Sequence, residues 1–414
     1  MAMRVGILTY HCVPNFGAQL QTISTVGYLR RQGHEPIVLH WFPYDLENIY
    51  ATGRVPAIQI QAHDRLTNEI LPLSNLCRNE DDLIKEVNRL HLDAIIVGSD
   101  ALFKYQPEKK RRSFSKRKLK YIVRKCVLVE SLQGNPFWGG FLCRTNNKIP
   151  AVAFSVSSQN CPYTAMLRKE KIMMKQFLSN YKYITVRDEW TRKMVHHITG
   201  IKDIPITPDP VFSFNQNNGL TIPTIETLKQ KYGLSNQYAL FSFSPRFIKK
   251  DYLKTIVEEI KKNKIEPVAF PMPEGCFDFG IEKKIDLPIS PLEWYVLIKH
   301  ASCYIGERMH PIVVAIHNAT PFFSFDEYGI CKKSFWGKLQ YQKESSKTYL
   351  ILKQAGLLDY LYSYQGEEEL PDANTIVNKV MDFDKKKCHA FADFYHSFYE
   401  ESMDVVLNYL QDYQ

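Results

Sequence analysis

RVGILTYHCVPNFGAQLQTISTVGYLRRQGHEPIVLHW, residues 4–41, runs through a strand, a helix and a second strand. RVGILTY (4–10) is short, apolar and β-branched, as an interior strand is. HCVPNFG (11–17) carries turn chemistry in Pro14, Asn15 and Gly17. AQLQTISTVGYLRRQGH (18–34) places Leu20, Ile23, Gly27 and Leu29 near one helical face and ends in RRQG, a helix stop signal. EPIVLHW (35–41) reads as the next strand. Such an opening starts a parallel sheet with helices on its faces.

The alternation continues outward from this unit. A helix around 81–90 precedes the interior strand LDAIIVGSD (92–100), and IPAVAFSVS (149–157) is another strand. Residues 163–181 are helical, KYITVRDEWTRKMVHHITG (182–200) is strand, loop and helix, and 204–214 is a short strand with a proline-rich exit. NQNNGLTIPT (215–224) is polar and turn-rich, and reads as a linker. Beyond it come strands at 238–246, 265–272, 301–305 and 320–328, helices at 250–263 and 291–301, and a long amphipathic helix at 391–413. The pattern predicts an α/β protein with two Rossmann-like parallel-sheet domains facing a central cleft. Residues 1–214 form the first, 215–224 the linker and 225–414 the second, with an insertion at 104–148.

Composition agrees with a globular α/β chain. The 414 residues are 45% hydrophobic and 23% charged, enough for two full cores. No run approaches the roughly 18 apolar residues that span a bilayer, and the N-terminus enters a strand without the apolar core of a signal peptide. A cytoplasmic location is expected. Nine scattered cysteines without a CxxC suit reduced thiols better than a disulfide framework or a zinc site. The net charge of +9 is local: residues 104–125 hold eleven Lys or Arg against one Glu, so the remainder sums to −1.

Ligands of parallel sheets bind at the strand C-terminal ends, and the chemistry-bearing residues cluster there. GERMHPIVVAIHNATP (306–321) puts Arg308 and His310 at the mouth of an apolar helix, with Pro311 suited to its first turn. A helix N-terminus accepts anions, an arginine grips phosphate or carboxylate in two-pronged fashion, and a histidine moves protons. The plainer reading pairs Arg308 with a structural carboxylate such as Glu307. Asn15 and Gly17 would let backbone approach a ligand. Asp100 ends a strand in GSD, Arg187 and Asp188 follow another, Asp209 lies between two prolines, and Arg246 ends a strand of the second half. No dinucleotide fingerprint, P-loop, HExxH or GxSxG is present.

In order and approximate spacing, GILTYHCVPNFGAQLQ, DAIIVGSD, VRDEWTRKMV, PDPVF and IGERMHPIVVAIHNATP resemble the polysaccharide pyruvyl transferase family over residues 4–328. The resemblance implies a two-domain, GT-B-like fold. It implies transfer of pyruvate from phosphoenolpyruvate onto two hydroxyls of a sugar, galactose for example, with a cyclic ketal formed and phosphate released during surface or capsular polysaccharide synthesis. Arg308, Met309, His310 and Arg246 would hold the donor, with Arg308 and His310 catalytic. Asn15, Asp100, Asp188 and Asp209 fall on the acceptor side, and any of the three aspartates can serve as base. One departure stands out: after GSD the family continues with Gln and Trp, whereas this chain reads ALFKY. No metal and no organic cofactor is expected. The rival reading is a GT-B glycosyltransferase using a nucleotide sugar, and a non-catalytic binding lobe is a third.

The basic segment adds an expectation about partners. It is followed by Phe137, Trp138 and Phe141 among glycines. Cations beside exposed aromatics dock on anionic membranes. That points to the inner membrane face and to an acceptor such as an undecaprenyl-diphosphate-linked oligosaccharide. Nucleic acid is not expected, since no recognition module accompanies the charge. The oligomeric state is not legible.

Overall fold

The computed structural model describes residues 2–412 apart from 54, 106–111, 116–119, 124–130, 147, 160, 218, 245–247, 328, 334–338, 343–345 and 365–369. The first half builds a five-stranded sheet from β1 (Arg4–Leu8), β2 (Glu35–Val38), β3 (Ala94–Val97), β6 (Ala151–Val156) and β7 (Tyr183–Val186). Its order is β2-β1-β3-β6-β7, and every pairing is parallel. AIIV in β3 and AVAFSV in β6 are buried throughout, as strands covered on both faces must be. Between β3 and β6, β4 (Arg112–Ser115) pairs with β5 (Lys120–Val123) as an antiparallel ribbon.

The second half repeats the plan with β8 (Tyr238–Ser242), β9 (Glu266–Ala269), β10 (Cys303–Gly306) and β11 (Phe322–Glu327). A two-stranded ribbon of β12 (Gly329–Lys333) and β13 (Leu339–Gln342) follows, and β14 (Leu361–Tyr364) completes the sheet. The order is β14-β11-β10-β8-β9, again all parallel. The fold is therefore α/β, with two parallel sheets. Their cores merge: Phe16 of the first half and Trp294 of the second belong to one apolar cluster, with ring centroids 5.5 Å apart.

The long helix Lys385–Gln411 closes the molecule by crossing back onto the first half. Tyr399 meets Tyr28 and Phe154, each at 5.8 Å, and Tyr409 stacks on Tyr183 at 4.4 Å. Glu400 accepts from Arg31 at 2.8 Å and from Ser213 Oγ at 3.0 Å, and Tyr28 donates to Asp404.

One expectation is corrected. Phe137, Trp138 and Phe141 are each 0% exposed. Trp138 stacks on Phe103 at 4.9 Å, and Phe137 meets Trp41 edge-on at 5.1 Å. The glycines between them are there for packing: Gly139 has φ +82, and a Cβ there would lie 2.8 Å from the Tyr181 ring. These rings are core and do not face a membrane. The basic segment beside them lies largely outside the described residues.

Candidate active site

The Arg-x-His pair sits where β10 feeds the helix Met309–His317. The strand ends at Gly306, where a Cβ would stand 2.5 Å from the Ser242 carbonyl oxygen and only glycine fits. Arg308 occupies the cap position in extended geometry, and Met309, His310 and Pro311 form the first turn. Pro311 costs no hydrogen bond there. The Arg308 guanidinium is about half exposed and 3.6 Å from Glu274, not paired with Glu307. Glu307 accepts instead from the Ser244 N–H at 3.0 Å and Oγ at 2.8 Å, and burial holds its carboxyl above the usual range.

His310 reaches across to the first half. A Cβ at Gly17 would lie 2.1 Å from His310 Cγ, so the imidazole rests on the bare backbone of Gly17. His310 Nε2 is shielded from water and has no hydrogen-bond partner. Burial pushes its pKa down, and Arg187 and Lys347 push the same way. Asp100 and Asp209 pull it back up, though not far enough.

Opposite stand the residues of the first sheet. Asn15 caps the first helix, accepting from the Ala18 N–H at 3.3 Å, and its flank faces the cleft. Asp100 follows Gly98, whose φ of +151 and 1.9 Å clearance from the Phe154 carbonyl oxygen exclude any side chain. Asp100 itself is held at φ +108, a region non-glycine residues rarely occupy. Such strain collects at functional sites. Its carboxylate accepts from the Ala101 N–H at 2.7 Å and lies 3.7 Å from the Arg187 guanidinium. Burial alone would raise its pKa, but Lys347, His310 and Arg187 together outweigh that and hold it below the ordinary value.

The other two aspartates are engaged elsewhere. Asp209 accepts from Gln21 at 2.6 Å, from Arg187 at 2.8 Å and from the Val211 N–H at 3.0 Å. Asp188 caps the helix Glu189–Thr199, accepting from the Thr191 N–H and from the Ser157 hydroxyl. Both line a small side pocket of ≈ 20 Å³ with Arg187, Met309 and Lys347, whereas Asp100 lines the larger cavity beside it. Arg187 is only 8% exposed; Asp209 anchors one arm, while Nη2 has no hydrogen bond.

These groups surround a cavity of ≈ 440 Å³ between the halves. Asn15, Asp100, Lys104 and Gln159 line one side, and Arg308, Met309, His310 and Lys347 the other. Lys347 escaped the sequence reading. It opens the helix Lys347–Ala355 behind the cap Ser346. The signal was a serine followed by a lysine ahead of the apolar run TYLIL, since a cation in a first turn opposes the helix dipole. Burial lowers the Lys347 pKa to about 8; Asp100 and Asp188 oppose this, and Arg187 and Lys104 add to it. Arg246 lies outside the described residues. Among the described residues no group of three or more ligating side chains is arranged to hold a metal. The arrangement suits a small polyanion: the cationic side chains of Lys104, Arg308 and Lys347, an imidazole whose Nε2 has no hydrogen-bond partner, and the Arg187 guanidinium beneath, 3.7 Å from the one carboxylate at hand for a hydroxyl, Asp100.

Comparison with known proteins bears on both halves. UDP-GlcNAc 2-epimerase from Neisseria meningitidis, bound to UDP-GlcNAc, is similar over 100% of each chain at a TM-score of 0.57 and 10% identity. Arabidopsis thaliana UGT89C1, complexed with UDP, is similar over 99% of this chain and 100% of that one at 0.53 and 9%. Identities this low speak for the fold alone, a GT-B-like pair of sheets. Comparison with the curated proteins gives no match. A model of the polysaccharide pyruvyl transferase family matches residues 15–327, from the Asn15 cap through the Arg-x-His helix to the end of β11. With three-quarters of its length matched in this way, the chain belongs to the polysaccharide pyruvyl transferase family.

Proposed function

We propose that the protein transfers pyruvate from phosphoenolpyruvate to two hydroxyls of one sugar, making a cyclic ketal and releasing phosphate. The observation that carries this reading is the meeting of His310, whose Nε2 has no hydrogen-bond partner, Arg308 and Lys347 around one interdomain pocket in a chain of this family. Phosphoenolpyruvate is a small, highly charged anion, and this is the cationic end of the cleft. Its charge beside His310 raises the imidazole pKa, offsetting the burial that lowers it in the empty site. The donor thereby charges its own acid.

His310 gives its proton to the methylene carbon of the donor, leaving C2 electrophilic. A sugar hydroxyl oriented by Asp100 bonds to C2. The C2–O bond to phosphate breaks, and the second hydroxyl closes the ring. Of the two protons the hydroxyls lose, one restores His310 and the other leaves with phosphate. Arg308 and Lys347 stabilise the donor's carboxylate and the departing phosphate. No step calls on a metal or an organic cofactor.

The acceptor we propose is a glycan on a diphosphate-linked lipid at the inner membrane face, galactose serving as the example sugar. The +10 charge of residues 104–125 supports this. The test supplies phosphoenolpyruvate with soluble and lipid-linked acceptors and follows inorganic phosphate and product mass. Phosphate release with a product heavier by pyruvate less water is expected. Release of a nucleoside diphosphate from a nucleotide sugar, with phosphoenolpyruvate inert, would sink this reading in favour of a glycosyltransferase.

A further inference from the structure

A second cavity, ≈ 880 Å³, opens above the C-terminal ends of β8, β10, β11 and β14. It shares Gln159, Met272, Glu274 and Arg308 with the reactive pocket, so the two are chambers of one cleft. Their chemistry differs sharply. Among the described residues, the larger chamber is lined by Glu274, Glu307, Asp326 and Glu327, and its one cation, Arg308, stands at the shared wall. Phe277, partly exposed, supplies aromatic surface, backed by the buried rings of Phe243 and Phe325.

The lining decides what can enter. Among the described residues, a phosphate or nucleotide would add negative charge to a wall of four carboxylates and one cation. Burial and the neighbouring Glu327 and Glu307 push the Asp326 carboxyl up to about 8, a sign of how poorly the chamber bears more negative charge. A metal ion is disfavoured too, since no three ligating groups among the described residues converge. A neutral polyol suits it. Carboxylates accept hydrogen bonds from adjacent sugar hydroxyls, protonated carboxyls donate them, and phenylalanine rings cover the C–H faces of pyranoses. The chamber has twice the volume of the reactive pocket, as sugars beyond the reacting one would need.

We infer that this chamber is the subsite for the neutral carbohydrate of the acceptor, which lies on the second half of the molecule and extends through the shared wall to the reactive pocket. The inference rests on the pyruvyl-transfer reading for its substrate but not for its test. Saturation-transfer NMR on the full-length protein with glucose, galactose, mannose, N-acetylglucosamine and lactose reads sugar binding without turnover. Phosphoenolpyruvate affinity is measured by calorimetry on the same samples. The variants are Phe277→Ser, which removes an aromatic face, and Glu327→Gln, which keeps shape and loses charge. Each should weaken the sugar that binds best about tenfold, the loss of one good contact or charged hydrogen bond. Phosphoenolpyruvate affinity should stay within about twofold, because the donor site is untouched. Binding of none of the five sugars, equal binding by both variants, or loss of donor affinity along with sugar would overturn the inference. If wild type releases no phosphate with any acceptor while the variants still lose sugar, the transfer reading fails and the carbohydrate subsite stands.

Discussion

Gly17 has no side chain because His310 fills the space one would take. Gly17→Ala should therefore leave both sheets intact and displace the imidazole. It should lower kcat by about the same factor as His310→Ala, roughly 10²–10⁴ for a lost general acid. A folded Gly17→Ala enzyme of normal kcat would dissociate the ring from the chemistry. Arg308→Ala should instead raise KM for phosphoenolpyruvate. Lys347 supplies a pH dependence. With its pKa lowered to about 8, it is charged below that pH and neutral above it. kcat/KM for phosphoenolpyruvate should fall as pH rises through about 8, and Lys347→Arg, charged throughout, should remove that fall. Arg308 and His310 were legible because strand, glycine, cap and Pro311 lie within nine residues of each other. Lys347 was not, since only folding brings it to Asp100.

At the scale of elements, the buried parallel strands announced themselves as unbroken apolar runs, and β1, β3, β6, β8 and β10 were read where they stand. Three helices of the second half were missed, Ile225–Tyr232, Lys347–Ala355 and Ala373–Met381, and two of the first, Tyr44–Ala51 and Ala57–Ile70. Pro43 and Pro56 precede the latter two where a serine or aspartate usually signals a start, and neither gives a side-chain cap. Leu46, Ile49 and Tyr50 of Tyr44–Ala51 line the reactive pocket, so that omission hid one of its walls. The C-terminal end of β11, inside the second sheet, carries a stability prediction. Asp326 closes β11 beside the Ser346 cap and keeps its proton up to about 8, while the unfolded chain ionises near 4. The native state holds the extra proton across that window, so stability falls as pH rises through it. Asp326→Asn keeps the neutral form throughout. Its melting temperature should drop less than that of wild type between about pH 5 and 8, and an unchanged slope would refute the assignment.

For the whole molecule, the two-sheet plan was legible from alternation, yet the path of the last helix was not. Amphipathicity gives a helix its buried face but not the partner that buries it. Lys385–Gln411 lies on the first half through Tyr399, Glu400 and Tyr409. Glu400→Ala leaves Arg31 and the Ser213 hydroxyl without their shared acceptor. The cost should be roughly 1–2 kcal/mol of stability by denaturant unfolding, with activity retained below the transition. A larger loss of activity than of stability would show that the helix also sets the width of the cleft. Chelation gives a second check at this scale. EDTA should leave turnover unchanged, and activity lost to it and restored by a divalent ion would require a metal in the mechanism.

The returning helix also orders events during synthesis. Tyr28, Phe154 and Tyr183 are made by the ribosome some two hundred residues or more before the tyrosines that cover them. Until then the nascent first half carries an uncovered aromatic face, a target for chaperones. A messenger cut short ahead of residue 385 yields a protein holding Asn15, Asp100, His310 and Lys347 yet without the strap that ties the halves together. Premature termination thus leaves that aromatic face uncovered, a surface by which quality control can recognise the fragment.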